Sequence, residues 1–196
     1  MSHFNESANE WDSENKVTMM QKLASESKKH LNLKKNIDIL DFGTGTGLFG
    51  LEFSEYINSL LGVDVSEGML KVFDEKTRDF DFIKSLNIDL EEKNIDQKFD
   101  LIISSMAFHH LNKPREVLIK LKHNLKENGQ IAIVDLDQED GSFHPNNEEM
   151  GVKHFGFSKD ELKGWADELD LSFNHFIINS INKNDKEYKQ FLAVYK

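Results

Sequence analysis

Residues 37–50 read IDILDFGTGTGLFG, an apolar run followed by four glycines in eight positions. A glycine-rich turn between a strand and a helix lets the backbone approach a ligand, and it places the free amides of the helix N-terminus nearby. In an open α/β sheet such a turn lies at the carboxyl end of the first strand, where ligands bind. The stretch therefore predicts an α/β fold with a ligand-binding loop after its first strand.

Two glycine patterns overlap in this loop. Residues 45–50 match the G-x-G-x-x-G of dinucleotide-binding folds, whereas residues 41–47 place Asp41 before three alternate glycines, a pattern associated with S-adenosyl-L-methionine (SAM) sites. A carboxylate at the end of the strand would repel a pyrophosphate by roughly 1–4 kcal/mol per close charge pair. It would attract the α-ammonium of SAM, directly or through the loop amides, so charge favours SAM over NAD.

Composition narrows the function classes. The chain has 196 residues, a net charge of −11 and no cysteine, which predicts a single domain and excludes disulfides and thiolate metal sites. The negative charge disfavours nucleic acid as a partner, and no apolar run approaches the roughly 20 residues that span a bilayer. We expect a cytoplasmic protein without membrane insertion, a monomer or homodimer.

Short apolar runs alternate with helical patterns through the middle of the chain, which is typical of βαβ units and a parallel sheet. The predicted strands are Ile37–Phe42, Ser59–Asp64, Phe80–Asn87, Phe99–Ser104 and Gln130–Asp135. Helices are predicted over Leu48–Ile57, after Ser66 and over Lys113–Leu125. A further amphipathic helix carrying Val17, Met20, Leu23, Ala24 and Leu31 is predicted before the first strand, preceded by an irregular segment.

The last forty residues have a different pattern. Ser158 and Glu161 form a capping box at the start of a helix. Two β-like runs, Leu171–Ile181 and Glu187–Tyr195, flank a turn at residues 182–185. This hairpin predicts that the last strand is antiparallel to the rest of the sheet.

Four motifs together resemble the class I SAM-dependent methyltransferases, in particular the small-molecule group similar to ubiquinone and menaquinone biosynthesis methyltransferases. The motifs are ILDFGTGTG at 39–47, GVDVSEGML at 62–70, NIDL at 87–90 and FDLIISSMAFHHL at 99–111. The resemblance implies a Rossmann-like three-layer sandwich with a seven-stranded, mostly parallel sheet. It divides one domain, 1–196, into a lid and helix (1–34), a cofactor-binding core (35–137), a substrate loop (138–157) and a helix with a C-terminal hairpin (158–196).

The resemblance also assigns cofactor-binding residues. It implies that the methionine part of SAM lies against Asp41 and the glycine loop, that Asp64 binds the ribose, and that Asp89 accepts from the adenine amino group. Ser104 and Ser105 would border the transferable methyl, and Trp11 with Phe4 would close over the site as a lid. The remaining positions of the predicted cofactor site are Gly43, Thr44, Gly45, Gly47, Val65, Met69 and Leu90.

Methyl transfer from SAM to a hydroxyl, an acidic carbon or a protonated amine is helped by a general base, and histidine titrates near neutral pH. His109 and His110 follow the fourth predicted strand, and His144 and His154 lie in the substrate loop. We predict His109 and His154 as the catalytic residues. No metal-ligand spacing such as H-E-x-x-H is present, so no metal is expected.

We therefore predict an enzyme that transfers a methyl group from SAM to a small-molecule acceptor and releases S-adenosyl-L-homocysteine (SAH). Residues 104–107 read SSMA instead of the Asn-Pro-Pro-Tyr run of relatives that methylate amide or base nitrogens, which disfavours such acceptors. Two alternatives remain at this stage. A NAD-dependent oxidoreductase would need a second βαβαβ half, and a non-catalytic SAM-binding module would have lost its acceptor site.

Overall fold

The computed structural model describes residues 2–183 and 185–196, and these form a seven-stranded sheet in the order β3-β2-β1-β4-β5-β7-β6. Neighbouring strands are parallel from β3 to β5, and β7 is antiparallel to both β5 and β6. The strands are β1 (Ile37–Phe42), β2 (Ile57–Asp64), β3 (Ile83–Asn87), β4 (Phe99–Ser105), β5 (Leu125–Leu136), β6 (Phe173–Lys183) and β7 (Lys186–Tyr195). The predicted parallel sheet with an antiparallel last strand is confirmed.

Five α-helices accompany the sheet in the described part of the chain. They are α1 (Ser2–Ser7), α2 (Glu14–Lys28), α3 (Glu67–Thr77), α4 (Pro114–His123) and α5 (Lys159–Glu168). The predicted caps form, because the Ser66 hydroxyl accepts from the amide of Met69, and the Ser158 hydroxyl from the amide of Glu161. No helix among the described residues is long and apolar enough to cross a membrane.

The helices cover both faces of the sheet, which gives three layers. On one face α4 and α5 pack Val117, Leu121 and Trp165 against Leu40 and its neighbours from the other strands. On the opposite face α2, α3 and the segment after the glycine loop pack their apolar side chains against the alternate strand residues. Side chains of β1 contribute to the apolar core on both faces of the sheet, because successive side chains of a strand point to opposite faces.

The segment after the glycine loop differs from the prediction. Instead of an α-helix over Leu48–Ile57, the structure has a 3-10 helix over Gly50–Tyr56, and Ile57 begins β2. Phe49 and Phe53 are buried as predicted. At the start of this helix Gly50 lies directly against the side chain of Asp41, where a β-carbon would collide with the carboxyl group.

Other element ends also differ from the prediction. The N-terminal segment is not irregular, because α1 and a 3-10 turn, Ala8–Glu10, precede α2. β3 begins at Ile83 and not at Phe80, since backbone hydrogen bonds from Phe80 to Thr77 and from Ile83 to Phe80 form a turn there. The predicted hairpin turn includes Asn184, which lies outside the described residues.

Candidate functional site

The glycine loop lies at the carboxyl end of β1, between the ends of β2 and β4. Gly43, Gly45 and Gly47 have φ of 68°, 54° and 87°, which is the left-handed region that favours glycine. A β-carbon on Gly43 would lie 2.5 Å from that of Ala107, whereas one on Gly45 would meet nothing within 4 Å. The loop therefore packs closely against the end of β4 at Gly43 and faces open space at Gly45.

Asp41 lies beneath this loop and not at its mouth. Its side chain is 1% exposed, it accepts a hydrogen bond of 2.6 Å from the Thr44 hydroxyl, and the amide of Gly50 also donates to it. Burial raises the pKa of Asp41 to about 7, although the Thr44 hydrogen bond opposes this rise. In this arrangement the Asp41 carboxyl group holds the glycine loop through Thr44 and Gly50, and its action on a ligand stays a prediction.

Asp64 ends β2 beside the loop. One carboxylate oxygen accepts from the amide of Gly45 at 2.9 Å and the other from the amide of Ser66, also at 2.9 Å. Burial raises the pKa of Asp64 against these amide hydrogen bonds. The carboxylate therefore lies where the sequence placed it, between the glycine loop and the start of α3.

The other predicted adenosine contacts lie along the same edge of the sheet. Val65 is 40% exposed, whereas Met69 is buried in α3. Asp89 accepts from the amide of Glu91 at 2.8 Å and so orders the turn after β3. Leu90 is buried in the apolar core on the α4 side of the sheet, and its contact with adenine stays a prediction.

The end of β4 supplies the two predicted serines. The hydroxyl of Ser104 is buried and has no hydrogen-bond partner among the described residues, while the hydroxyl of Ser105 donates to the sulfur of Met20 at 3.5 Å. Met106, which follows, has a φ of 54°. This strained residue turns the chain from β4 into the segment that carries His109 and His110.

The N-terminal segment lies over the glycine loop. Asp12 accepts from the Thr46 hydroxyl at 2.6 Å and forms an ion pair with Lys76 of α3, which also donates to the carbonyl oxygen of Thr46 at 2.8 Å. Trp11 contacts Phe4 edge to face at 5.6 Å between ring centroids. The N-terminal segment is therefore attached to the glycine loop through Asp12 and Lys76, and its role as a lid stays a prediction.

His109 and Asp135 form a buried pair at the ends of β4 and β5. The Nδ1 atom of His109 lies 2.7 Å from the Asp135 carboxylate, which also accepts from the amides of His109 and Leu136. Burial alone would raise the pKa of Asp135, but the adjacent His109 and these hydrogen bonds hold it below its ordinary value. The Nε2 atom of His109 is buried and has no hydrogen-bond partner among the described residues.

Two more histidines lie against His109. Its ring centroid is 4.0 Å from that of His110 and 5.0 Å from that of His144. Burial, together with the neighbouring His109, lowers the pKa of His110 to about 3 and that of His144 to about 4. Both rings are therefore neutral at neutral pH. We call His109, His110 and His144 the histidine cluster.

His154 does not join this cluster. Its ring stacks on Phe157 with the centroids 5.3 Å apart, and only its backbone approaches the site, through an amide that donates to the carbonyl oxygen of His109 at 3.0 Å. The substrate loop thus brings His144 and not His154 to His109. In the described ranges no group of three histidine, aspartate or glutamate side chains is arranged to hold a metal ion.

Comparison with known proteins identifies a family for the part of the chain that carries these residues. Residues 40–131 match the family described as a methyltransferase domain. The chain contains a methyltransferase domain. The matched range runs from β1 into β5 and so includes the glycine loop, Asp64 and the histidines that follow β4.

Curated proteins similar in sequence to this domain are named methyltransferases. The chain is 36% identical over 138 residues to an uncharacterized methyltransferase of Schizosaccharomyces pombe, covering 63% of the chain and 49% of the relative. It is 31% identical over 135 residues to the malonyl-[acyl-carrier protein] O-methyltransferase of Acetivibrio thermocellus, a match that covers 67% of the chain and 47% of the relative. The chain thus spans about half the length of the curated relatives it matches.

Solved structures share the fold of the methyltransferase domain. The complex of DhpI with SAH superposes with a TM-score of 0.76 at 16% identity, covering 100% of this chain and 93% of that one. A SAM-dependent methyltransferase from Aquifex aeolicus gives a TM-score of 0.70 at 20% identity, and the match covers 96% of this chain and 97% of that one. The Rossmann-like fold that the resemblance implied is confirmed.

Several residues of the site were not identified from the sequence. Asp135 was assigned only to a strand, although an acidic residue after the apolar run IAIV at 131–134 is an unusual strand residue and could have drawn attention. Asp12 and Lys76 carry no sequence signal, because their contact depends on how the N-terminal segment crosses the loop.

Proposed function

We propose that this protein transfers a methyl group from SAM to a small-molecule acceptor. The observation that carries the proposal is the loop at the end of β1, where three glycines with positive φ lie beside the carboxylate of Asp64. The membership of residues 40–131 in a methyltransferase domain supports it. So does the SAH bound in the DhpI complex, which shares the fold.

The residues present fit such a cofactor. The open space beside Gly45 leaves room for a ligand to approach the backbone, and the Asp64 carboxylate can accept from ribose hydroxyls in place of an amide. The buried hydroxyl of Ser104, which has no partner among the described residues, offers a further polar contact where β4 ends. Asp41, Thr44 and Gly47 would act by holding the loop in shape.

When bound, SAM supplies a methyl group on a positively charged sulfur, which leaves as a neutral thioether. The protein's own task is then to orient the acceptor and to exclude water. The N-terminal segment, through Trp11 and Asp12, would exclude water from the cofactor side. Residues 138–157 would cover the acceptor side, and the packing of His144 from this loop on His109 supports that role.

A small molecule is the acceptor class that the observations support. The net charge of −11 disfavours polyanionic substrates. The relatives include demethylmenaquinone methyltransferases, such as that of Listeria welshimeri at 29% identity over 126 residues. An oxidoreductase is disfavoured, because the sheet continues after β5 with an antiparallel pair and not with a second nucleotide-binding half.

Calorimetric titration with SAM, SAH and NADH tests the proposal. We expect saturable binding of SAM and SAH and none of NADH. Asp64→Asn should weaken SAM binding about 10- to 100-fold, because hydrogen bonds to a charged group contribute about 1.5–3 kcal/mol. Asp96→Asn, a matched change at an exposed residue before β4, should leave affinity unchanged. Binding of NADH alone, or full SAM affinity in Asp64→Asn, would contradict the proposal.

A further inference from the structure

The His109–Asp135 pair has the geometry of a general base and its positioning residue. Both side chains are at most 1% exposed, so a fixed carboxylate lies 2.7 Å from Nδ1 of the imidazole. All the contacts made by the Asp135 carboxylate come from donors, namely the amides of His109 and Leu136 and the Nδ1 atom. A carboxylate at this position favours the tautomer with hydrogen on Nδ1, which leaves Nε2 as an acceptor.

The Nε2 atom has no other task in the fold. It is buried, and no described residue bonds to it, although buried polar atoms generally have partners. A structural histidine would be expected to use both nitrogens. The unpartnered atom is the ring nitrogen that Asp135 does not hold, and it can accept a proton from a molecule that reaches it.

The surroundings of the histidine cluster select the kind of molecule. Phe4 contacts His110 with 5.2 Å between ring centroids, and Phe143 contacts His144 at 4.8 Å. Both neighbouring imidazoles are neutral, and the carboxylate of Asp135 is already occupied by donors. Such aromatic and neutral walls suit a flat, uncharged ring and offer no counter-ion for an ammonium group.

The acidity of the acceptor follows from the base. Proton transfer is most effective when the base and the acid are close in strength. A carboxylic acid is already ionised at neutral pH and needs no base, whereas a phenol, with a pKa of about 10 like that of tyrosine, lies within about four units of imidazole. An aliphatic alcohol is much weaker as an acid and is a poorer match.

We propose that His109, held by Asp135, takes the proton from the hydroxyl of a phenol or enol acceptor while that oxygen is methylated. This inference rests on the proposed function. The O–H bond breaks and its proton passes to Nε2. The oxygen's electron pair forms the bond to the methyl carbon, and the carbon–sulfur bond of SAM breaks with its electrons going to sulfur. The products are a methyl ether, SAH and protonated His109.

Entry to the base requires the substrate loop to move. His109 is 1% exposed, and the ring that lies against it, His144, belongs to the loop of residues 138–157. Gly141 and Gly151 in this loop have φ of 84° and 69°, and the carbonyl oxygen of Gly151 lies 3.2 Å from Nδ1 of His110. Movement of this loop would open a path to His109 while His110 and Phe4 stay in place as walls.

The first test uses the unmutated protein and needs no turnover. Long-range proton–nitrogen correlation spectra of protein with labelled histidine report which nitrogen carries hydrogen. We expect His109 to carry hydrogen on Nδ1 and to have a bare Nε2. A His109 with hydrogen on Nε2 would overturn the proposal, and this reading stands even if a variant fails to fold.

The second test uses 4-nitrophenol, a phenol that is yellow only when ionised, added to the complex with SAH at a pH low enough that the free phenol in the same buffer stays colourless. We expect saturable binding with ionisation of the bound phenol in the wild type, and binding without ionisation in His109→Gln and, to a lesser degree, in Asp135→Asn. His123→Gln, the same change at an exposed residue at the end of α4, should behave as wild type. Ionisation that persists in His109→Gln would refute the role of this base.

The third test replaces SAH by SAM with a radiolabelled methyl group and follows formation of 4-nitroanisole. A general base contributes about 10²- to 10⁴-fold, so His109→Gln should lose that factor in kcat while keeping its SAM affinity. If SAH binds but 4-nitrophenol does not, the acceptor class fails and the proposed function stands. If SAH itself does not bind, the proposed function fails first.

Discussion

Replacing Asp41 by asparagine should change how the stability of the protein depends on pH. The carboxyl group of Asp41 is fully buried beneath the glycine loop, and burial raises its pKa from 3.8 to about 7. Between these two values the folded protein holds a proton that the unfolded chain has lost. The contribution of the Asp41 carboxyl group to the unfolding free energy is therefore fully present below about pH 4 and is lost as the pH rises through about 7.

The magnitude follows from the size of the shift. Each pH unit between the two pKa values costs about 1.4 kcal/mol of unfolding free energy. From about pH 5 to about pH 7 the wild type should thus lose about 3 kcal/mol relative to Asp41→Asn. The asparagine keeps an acceptor oxygen for the Thr44 hydroxyl, so any loss of packing or hydrogen bonding enters as an offset that does not vary with pH.

The comparison between the two proteins is essential, because other groups titrate in the same range. His110 and His144 have lowered pKa values and act in the opposite direction, since they destabilise the fold as the pH falls. They contribute nearly equally to wild type and variant. The difference between the two urea-unfolding free energies therefore isolates Asp41.

Urea titrations at about pH 5, 6, 7 and 8 measure this difference. We expect the unfolding free energy of Asp41→Asn minus that of the wild type to increase up to about pH 7 and to stay constant above it. A difference that stays constant with pH would show that Asp41 is ionised in the folded protein throughout. The same carboxyl should release a proton when cationic SAM binds below about pH 7, which calorimetry in two buffers of different ionisation enthalpy would detect.

Three further predictions concern the loop, the histidine cluster and the lid. Gly43→Ala should lower the unfolding free energy by about 2–5 kcal/mol, because φ of Gly43 is 68° and the new β-carbon would collide with Ala107. The control Gly164→Ala, in open space within α5, should raise the unfolding free energy by about 0.5–1 kcal/mol. Equal effects of the two substitutions in urea titrations would contradict the loop geometry. As the pH falls from about 7 to about 5, the unfolding free energy of His110→Gln should decrease by about 2 kcal/mol less than that of the wild type. The reason is that the folded protein holds the pKa of His110 at about 3, so the fold loses stability once the pH drops below the pKa of the unfolded chain. Parallel curves of unfolding free energy against pH for the two proteins would refute this. Asp12→Ala should speed SAM dissociation about 5- to 30-fold in stopped-flow measurements through loss of its contacts to the loop, an effect of about 1–2 kcal/mol, and an unchanged rate would count against residues 4–12 as a lid.

The histidines show where reasoning from the sequence reached its limit at the site. The position of His109 follows from local order, because it comes four residues after β4 and so lies at the ligand edge of the sheet. Its partner Asp135 is 26 residues away along the chain and lies next to the last residue of the neighbouring strand β5. Which loop histidine packs on His109 depends on the path of residues 138–157: it is His144, while the ring of His154 stacks on Phe157.

The sequence by itself determined the order and type of the strands, the position of the glycine loop and the acidic residue that ends β2. These depend on periodicity, glycine spacing and the geometry of parallel sheets, all of which act over a few residues. Only the tertiary structure decided that Asp41 lies beneath the loop, that the segment before α2 crosses it, and that Asp135 and His144 meet His109. Such contacts join residues far apart in the chain, and the packing of whole elements, which no local pattern encodes, selects among them.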